Sequence, residues 1–405
     1  MAKSGLQAGT AWADITPAAF TLMTGMGIHR AKTTGIHDRL KARALVLKSG
    51  ERKIALVTAD INYIDYDSIT ELRRMVEAHT DIKGEDVHVS SSHCHSSPGY
   101  FQLHKRMRHS SKYWSFTYED LYAHVKSACR LIAGTVYEAN GRLVDAEIGF
   151  GRGDSQYNIV RWHLTSDGKM RFTPYHRELP TNLVPLTDML IVHVRDKATK
   201  ESLAFFYTNS AHAICVCLQS TEITADYPGV VAGIIEKKFG GLCMFAPGTI
   251  GDQHPRDYDR GFAAAELMGR QLAGQIIKAQ RGMKYTSRLT IRAAERDLDM
   301  APASYQGQPL FTRTRMSAVA LNGTAISFWP GEAFGMITRR LQKESPFKRT
   351  VLVSNTDDFK YYFAFEKEYG KYVWDSDGAR PSIYPVAAGD QLYKAALGLL
   401  RRISG

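Results

Sequence analysis

What this chain lacks narrows it quickly. Its five cysteines (Cys94, Cys129, Cys215, Cys217 and Cys243) are odd in number and form no Cys-x-x-Cys pair. That argues against a disulfide framework or a thiolate zinc ribbon, and reduced thiols are expected. No window approaches about 18 consecutive apolar residues, so a membrane-spanning helix is not expected. The opening stretch MAKSGLQAGTAWADITP has no apolar core of a secretory signal, which points to the cytoplasm. A GxxxxGK[ST] phosphate loop is missing, which discounts nucleotide binding, and so is the GxSxG elbow of α/β-hydrolase serine enzymes. No repeat, low-complexity tract or Pro/Ser-rich linker interrupts the chain, and one domain over residues 1–405 is the expectation.

Charge is the one skewed property. Fifty-two Lys and Arg against 41 Asp and Glu give a formal net charge of +11, but the positive residues are mostly dispersed. The compact run HKRMRHSSK (104–112) carries no interleaved stacking aromatics and belongs to no nucleic-acid module, so nucleic acid is not an expected partner. It reads as a solvated loop, or as a patch drawing an anionic substrate towards Lys105, Arg106 and Arg108.

What is present is an α/β pattern. ARALVLK (42–48), KIALVTAD (53–60), DVHVSS, DMLIVHVRD, SLAFFYTNSAH, LCMFAPG, SRLTIRAA (287–294) and TVLVSN read as strands. MSAVALNGTAISFWPGE reads as a hairpin turning at Asn322-Gly323. Helices are expected over 68–80, over 117–134 with Thr117 as cap and Gly134 as stop, over 226–241 and 261–280, and in AFGMITRRLQK. The fold class is therefore α/β, with mixed β-sheets and flanking helices, and with the chemically interesting side chains at strand ends.

Four of those ends stand out. In VHVSSSHCHSSPGYF, His93 and His95 are two apart, so on a continuing strand both rings would share one face, with their Cα atoms about 6–7 Å apart. Such a pair suits a metal or a ligand with its hydrogen-bonded partner, though each residue is equally an ordinary loop histidine. Cys94 would face the other way and pack. His212, in TNSAHAICV, follows another apolar strand and fits either a core histidine or a ligand. Glu332, in FWPGEAF, is either a helix N-terminal acid or a ligand on a rigid support. FKYYFAFEKEYGKY (359–372) supplies Tyr361, Tyr362, Tyr369 and Tyr372, and APGTIGDQHP (246–255) is a turn holding Gly248, Gly251, Asp252 and His254.

In this order the motifs resemble the neutral/alkaline ceramidase family, specifically its N-terminal catalytic domain. The resemblance runs from AGTAWADITP through VHVSSSHCHSSPGY, TNSAHAICV, EITADYPGVVAGIIE and FAPGTIGDQHP to FWPGEAF, from about residue 8 to 375. It implies a large α/β domain around one zinc ion per chain. By the same resemblance His93, His212 and Glu332 are metal ligands, Tyr362 is a fourth ligand with Tyr361 as the alternative, and His95 is a catalytic helper beside the metal. Asn158 and Arg161 (YNIVRW) correspond to the family's Asn-Arg stretch and, with Asp252, are expected at the substrate. Asp60 and Asp226 join them or act as turn acids.

The resemblance also carries departures. Gly248 is taken to stand where the family has a serine, and no C-terminal immunoglobulin-like domain is expected after LYKAALGLLRRISG. The reaction implied is hydrolysis of a linear amide of a small, anionic or lipid-like substrate by metal-activated water. Ester or lactone hydrolysis, acyl transfer or cyclisation, and ligand binding without turnover are the alternatives. No oligomeric state is read from the sequence.

Overall fold

The computed structural model describes residues 5–17, 33–99, 118–172, 183–305, 308–369, 372–373 and 384–405; the basic run 104–112 and Thr117 lie outside them. Its apolar runs become two stacked sheets. The larger sheet contains β1 (Gln7–Asp14), β2 (Lys41–Ser49), β3 (Arg52–Ala59), β4 (Val87–Ser91), β5 (Val144–Asp154), β6 (Asp188–Asp196), β7 (Ser202–Asn209) and β8 (Leu242–Pro247), in the order β8-β7-β6-β5-β1-β2-β3-β4. Pairing is parallel at both ends, β7 with β8 and β3 with β4, and antiparallel between. The smaller sheet is β9 (Ile291–Asp299), β10 (Arg313–Leu321), β11 (Thr324–Phe328) and β12 (Arg349–Val353), in sequence order.

Alternation along the strands assigns the layers. On β2, Leu45 and Leu47 point between the sheets, where they meet Phe206, Met244, Phe328 and Val353. Ala42, Ala44 and Val46 point the other way, against α1 (Tyr66–His79) and α2 (Tyr118–Gly141). Helices α3 (Asp226–Phe239) and α4 (Phe262–Arg281) cover the outer face of β6–β8. Helices α5 (Gly335–Glu344) and α6 (Ala388–Ser404) cover the smaller sheet. The architecture is four layers, helices–sheet–sheet–helices. Strands buried on both faces take apolar side chains at most positions, which is why ARALVLK reads as a nearly continuous run, its buried Arg43 paired with Asp60 and Glu236. The five cysteines are buried free thiols. Among the described residues, no helix is long and apolar enough to cross a membrane.

Helix α2 runs past Gly134, the expected stop, to Gly141. Glycine costs about 1 kcal/mol in a helix interior, and continuing buries Val136 and Ala139 against the sheet, which outweighs that cost.

The edge strands β4 and β8 end close together, and the segment after β12 ties them. Ser354 N–H donates to Pro247 O (2.8 Å), Ser91 N–H donates to Asn355 O (3.0 Å), and Thr356 bridges Ser90. The loops that follow β4, β7, β8 and β11 therefore gather over one seam.

If the inter-sheet layer carries the stability, Phe206→Ala should cost about 3–5 kcal/mol in denaturant unfolding. Trp12→Ala, at a position 51% exposed, should cost less than about 1. Equal losses would contradict the layering.

Candidate metal centre

The site is assembled from three strand ends. β4 stops at Ser91, and the chain turns through His93 at φ 58°, a left-handed conformation that His adopts more readily than most residues. His93 N–H donates to Ile61 O. His93 and His95 thus meet through a turn and not across a pleat as the spacing suggested, with ring centroids 4.8 Å apart. Cys94 is fully buried, its thiol donating to Thr224 O, and burial pushes its pKa well up. His212 follows β7 by three residues.

Glu332 does not open a helix. It lies in a two-residue strand, Glu332–Ala333, paired in parallel with Tyr362–Phe363, Glu332 opposite Tyr362. The helix begins only at Gly335. Residues opposite each other in register share a face, so Tyr362 stands beside Glu332. Tyr361, at φ 61°, instead packs against Phe359 and the core of the smaller sheet. Two glycines permit this close approach: a Cβ at Gly331 would lie 2.5 Å from Tyr361 O, and one at Gly251 would lie 2.6 Å from Glu332 O.

The hydrogen bonds fix what the imidazoles present. His93 Nδ1 lies 2.9 Å from Asn62 O and His212 Nδ1 lies 2.9 Å from Gln253 O. A carbonyl only accepts, so each Nδ1 carries its proton and each Nε2 a lone pair. Those lone pairs point at the Glu332 carboxylate, Nε2 of His93 at 3.2 Å from Oε1 and Nε2 of His212 at 2.8 Å from Oε2. His95 Nε2 approaches His93 Nε2 at 3.2 Å. The ligand nitrogens of His93, His95 and His212 lie within 4.8 Å of one another.

The protonation tendencies agree with this arrangement. Burial takes His212 down to about 4. Burial, with His93 and His212 beside it, keeps His95 well below an ordinary histidine. Acceptors converging in a buried space need a cation between them, and nitrogen donors with one carboxylate suit a divalent zinc-type ion.

Around this cluster, burial and then Glu332 raise the Tyr362 phenol, which is hydrogen-bonded with the Glu332 and Arg161 side chains. Arg161 is buried, its guanidinium 4.9 Å over the Tyr362 ring. Asn158 is engaged with Leu186 O, Asn209 and Ser155. Asp252, raised by burial, accepts from Gly335 N–H and Gln253. It borders a half-open cavity of about 550 Å³ lined largely by Val160, Leu164, Met170, Leu183, Val184 and Met336. Asp60 pairs with Arg43, and Asp226 accepts from the Cys215, Val216 and Tyr227 amides. A Cβ at Gly248 would meet Ser210 Oγ at 2.6 Å, so a side chain there requires that hydroxyl to shift.

His254, in the predicted turn APGTIGDQHP, lies on a short strand beside the site. Its ring lies 5.0 Å from that of His212. The backbone carbonyls of Asn62 and Gln253 have no signature in side-chain spacing at all.

These features define a class: a four-layer α/β protein with a buried, nitrogen-rich cluster of potential metal donors over the ends of its strands. Residues 6–252, more than half of the chain, match the family described as neutral/alkaline non-lysosomal ceramidase, N-terminal, and the protein belongs to that family. The neutral ceramidase of Mycobacterium tuberculosis is 32% identical over 102 residues, a stretch that spans 23% of this chain and 16% of that relative. The crystal structure of neutral ceramidase from Pseudomonas aeruginosa superimposes with a TM-score of 0.79 at 17% identity, covering 98% of this chain and 75% of that one. A ceramidase complexed with C2 gives 0.78 at 16% identity, with the same coverage. At these identities the superpositions establish the fold.

Glu332→Gln replaces the carboxylate of the converging set by a neutral amide. Zinc affinity measured by chelator competition should fall at least about tenfold, and unchanged affinity would contradict this donor set.

Proposed function

We propose that this protein is a zinc-dependent hydrolase, with one ion per chain, that cleaves a linear amide bond. The observation carrying this reading is the convergence of His93 Nε2, His212 Nε2 and both Glu332 oxygens, each lone pair aimed by an anchored side chain at one buried point. The family and the neutral ceramidases it includes support amide chemistry in particular. Zinc, when bound, supplies Lewis acidity and an acidified water.

The chain's own residues do the rest. His93, His212 and Glu332 hold the ion, oriented by Asn62 O and Gln253 O, and Tyr362 is in reach as a further ligand. His95 stays neutral in its buried position and offers Nε2 beside His93 to receive or orient a proton. Tyr362 keeps its phenol proton and can donate it as a hydrogen bond to an acyl oxygen gaining negative charge. Arg161, behind Tyr362, adds a positive field to the same place. The apolar cavity next to Asp252 and Gln253 fits the acyl or hydrocarbon part of a small or lipid-like substrate. A cytoplasmic location, in keeping with five free thiols, and a single catalytic domain complete the proposal.

The test is turnover of a panel of N-acyl amides and matched esters before and after metal removal. Chelation should abolish amide hydrolysis and zinc should restore it. Tyr362→Phe should lower kcat by about 10²–10³ with KM little changed, the scale of one oxyanion donor. Turnover of esters alone would overturn the amide assignment, and turnover untouched by chelation would overturn the zinc assignment.

A further inference from the structure

A further imidazole packs beside that of His212. His254 is on the strand Gln253–Pro255, paired antiparallel with Asn158–Val160, directly after the residue whose carbonyl anchors His212. Its ring centroid is 5.0 Å from that of His212, the same separation as between the rings of His93 and His212, at 5.1 Å. Yet the ligand nitrogens that converge belong to His93, His95 and His212.

Arg161 accounts for the difference. Its Nη1 lies 2.9 Å from His254 Nε2. A guanidinium has five N–H donors, no acceptor, and does not lose its proton in proteins. Arginine therefore donates, the Nε2 lone pair is consumed, and Nδ1 carries the ring proton. An imidazole binds a metal only through a nitrogen lone pair, so a histidine in this state has none to give. The arginine is itself fixed: Nη2 donates to Gly251 O at 2.6 Å and its backbone N–H to Asp252 O at 2.9 Å.

We propose that Arg161 is a positioning residue that holds His254 off the metal, keeping a coordination position open. This rests on the zinc reading of the site. A catalytic zinc ion retains a position for water or substrate, and with His93, His212 and Glu332 on the ion and Tyr362 in reach, a further imidazole would fill it. With His254 beside His212, the fold holds four histidines and a glutamate near one another, more donors than a catalytic site can use. Arg161 subtracts one of them without removing it from the fold.

The test compares the parent protein with Arg161→Met, His254→Ala and the double variant, by zinc affinity in chelator competition and by the visible spectrum of the cobalt-loaded protein. Arg161→Met should free His254, tighten zinc binding by about tenfold or more, the range over which neighbouring groups move metal affinity, and change the cobalt spectrum. The double variant should return both to the parent values and recover part of the turnover lost in Arg161→Met. His254→Ala alone should leave zinc affinity unchanged.

An Arg161→Met protein that binds zinc no more tightly, or a double variant that keeps the Arg161→Met affinity and spectrum, overturns the inference. Should Arg161→Met fail to fold, long-range proton–nitrogen spectra of the zinc-loaded parent, with labelled histidine and His254→Ala for assignment, decide the matter. An Nδ1-protonated His254 without a metal shift is expected; an Nε2-protonated or metal-shifted ring overturns the role. A parent protein that takes up no zinc overturns the metal reading and this inference together, whereas a zinc-binding parent with no Arg161 effect overturns this inference alone.

Discussion

Two backbone carbonyls govern this site. Asn62 O and Gln253 O each take the Nδ1 proton of a histidine, which turns the opposite nitrogens of His93 and His212 inward as bare lone pairs. Everything else about the centre follows from that orientation. A carboxylate facing two bare nitrogens in a buried space is unfavourable unless a positive charge lies between them, so the polypeptide has built a demand for a cation into its hydrogen bonding. The sheets below supply the rigidity that keeps the demand from being relieved by rotation of the rings.

The fold delivers those carbonyls through its seam. The larger sheet ends in parallel pairs at both edges, and residues 354–356 stitch the ends of β4 and β8 together. The loops carrying His93, His212, His254 and Glu332 therefore leave the scaffold at one place. Gly251 and Gly331 let the Glu332 segment lie against its neighbours closer than any side chain would allow. The cost of holding His93 in a left-handed conformation is of order 1–3 kcal/mol, and the hydrogen bonds of its backbone N–H and ring Nδ1 offset it.

Much of this was legible in the sequence, for physical reasons. Strands buried on both faces are apolar at most positions, so β2, β3, β6 and β7 announce themselves as runs. The ordered motifs pointed to the family and to His93, His95, His212, Glu332 and Tyr362, which the structure brings together. The reasons behind their meeting were not legible. Strand periodicity placed the two histidines on a pleat, whereas the chain turns at His93. Proline and glycine before Glu332 suggested a helix start, whereas a two-residue strand pairs it with Tyr362. That pairing separates Tyr362 from Tyr361, which sequence could not do. Gly134 as a helix stop ignored the tertiary burial beyond it. Arg161 looked like a substrate group, and it is buried against His254 and Gly251 O. Such partners come from distant segments and leave no local pattern.

The zinc proposal turns on which atoms face the ion, and X-ray absorption of the zinc-loaded protein reads those atoms directly. It predicts a low-coordinate shell of nitrogen and oxygen at about 2.0–2.2 Å, with the outer-shell scattering of imidazole rings. A sulfur shell at about 2.3 Å, which would put Cys94 on the metal, or an all-oxygen shell without imidazole scattering, would contradict it.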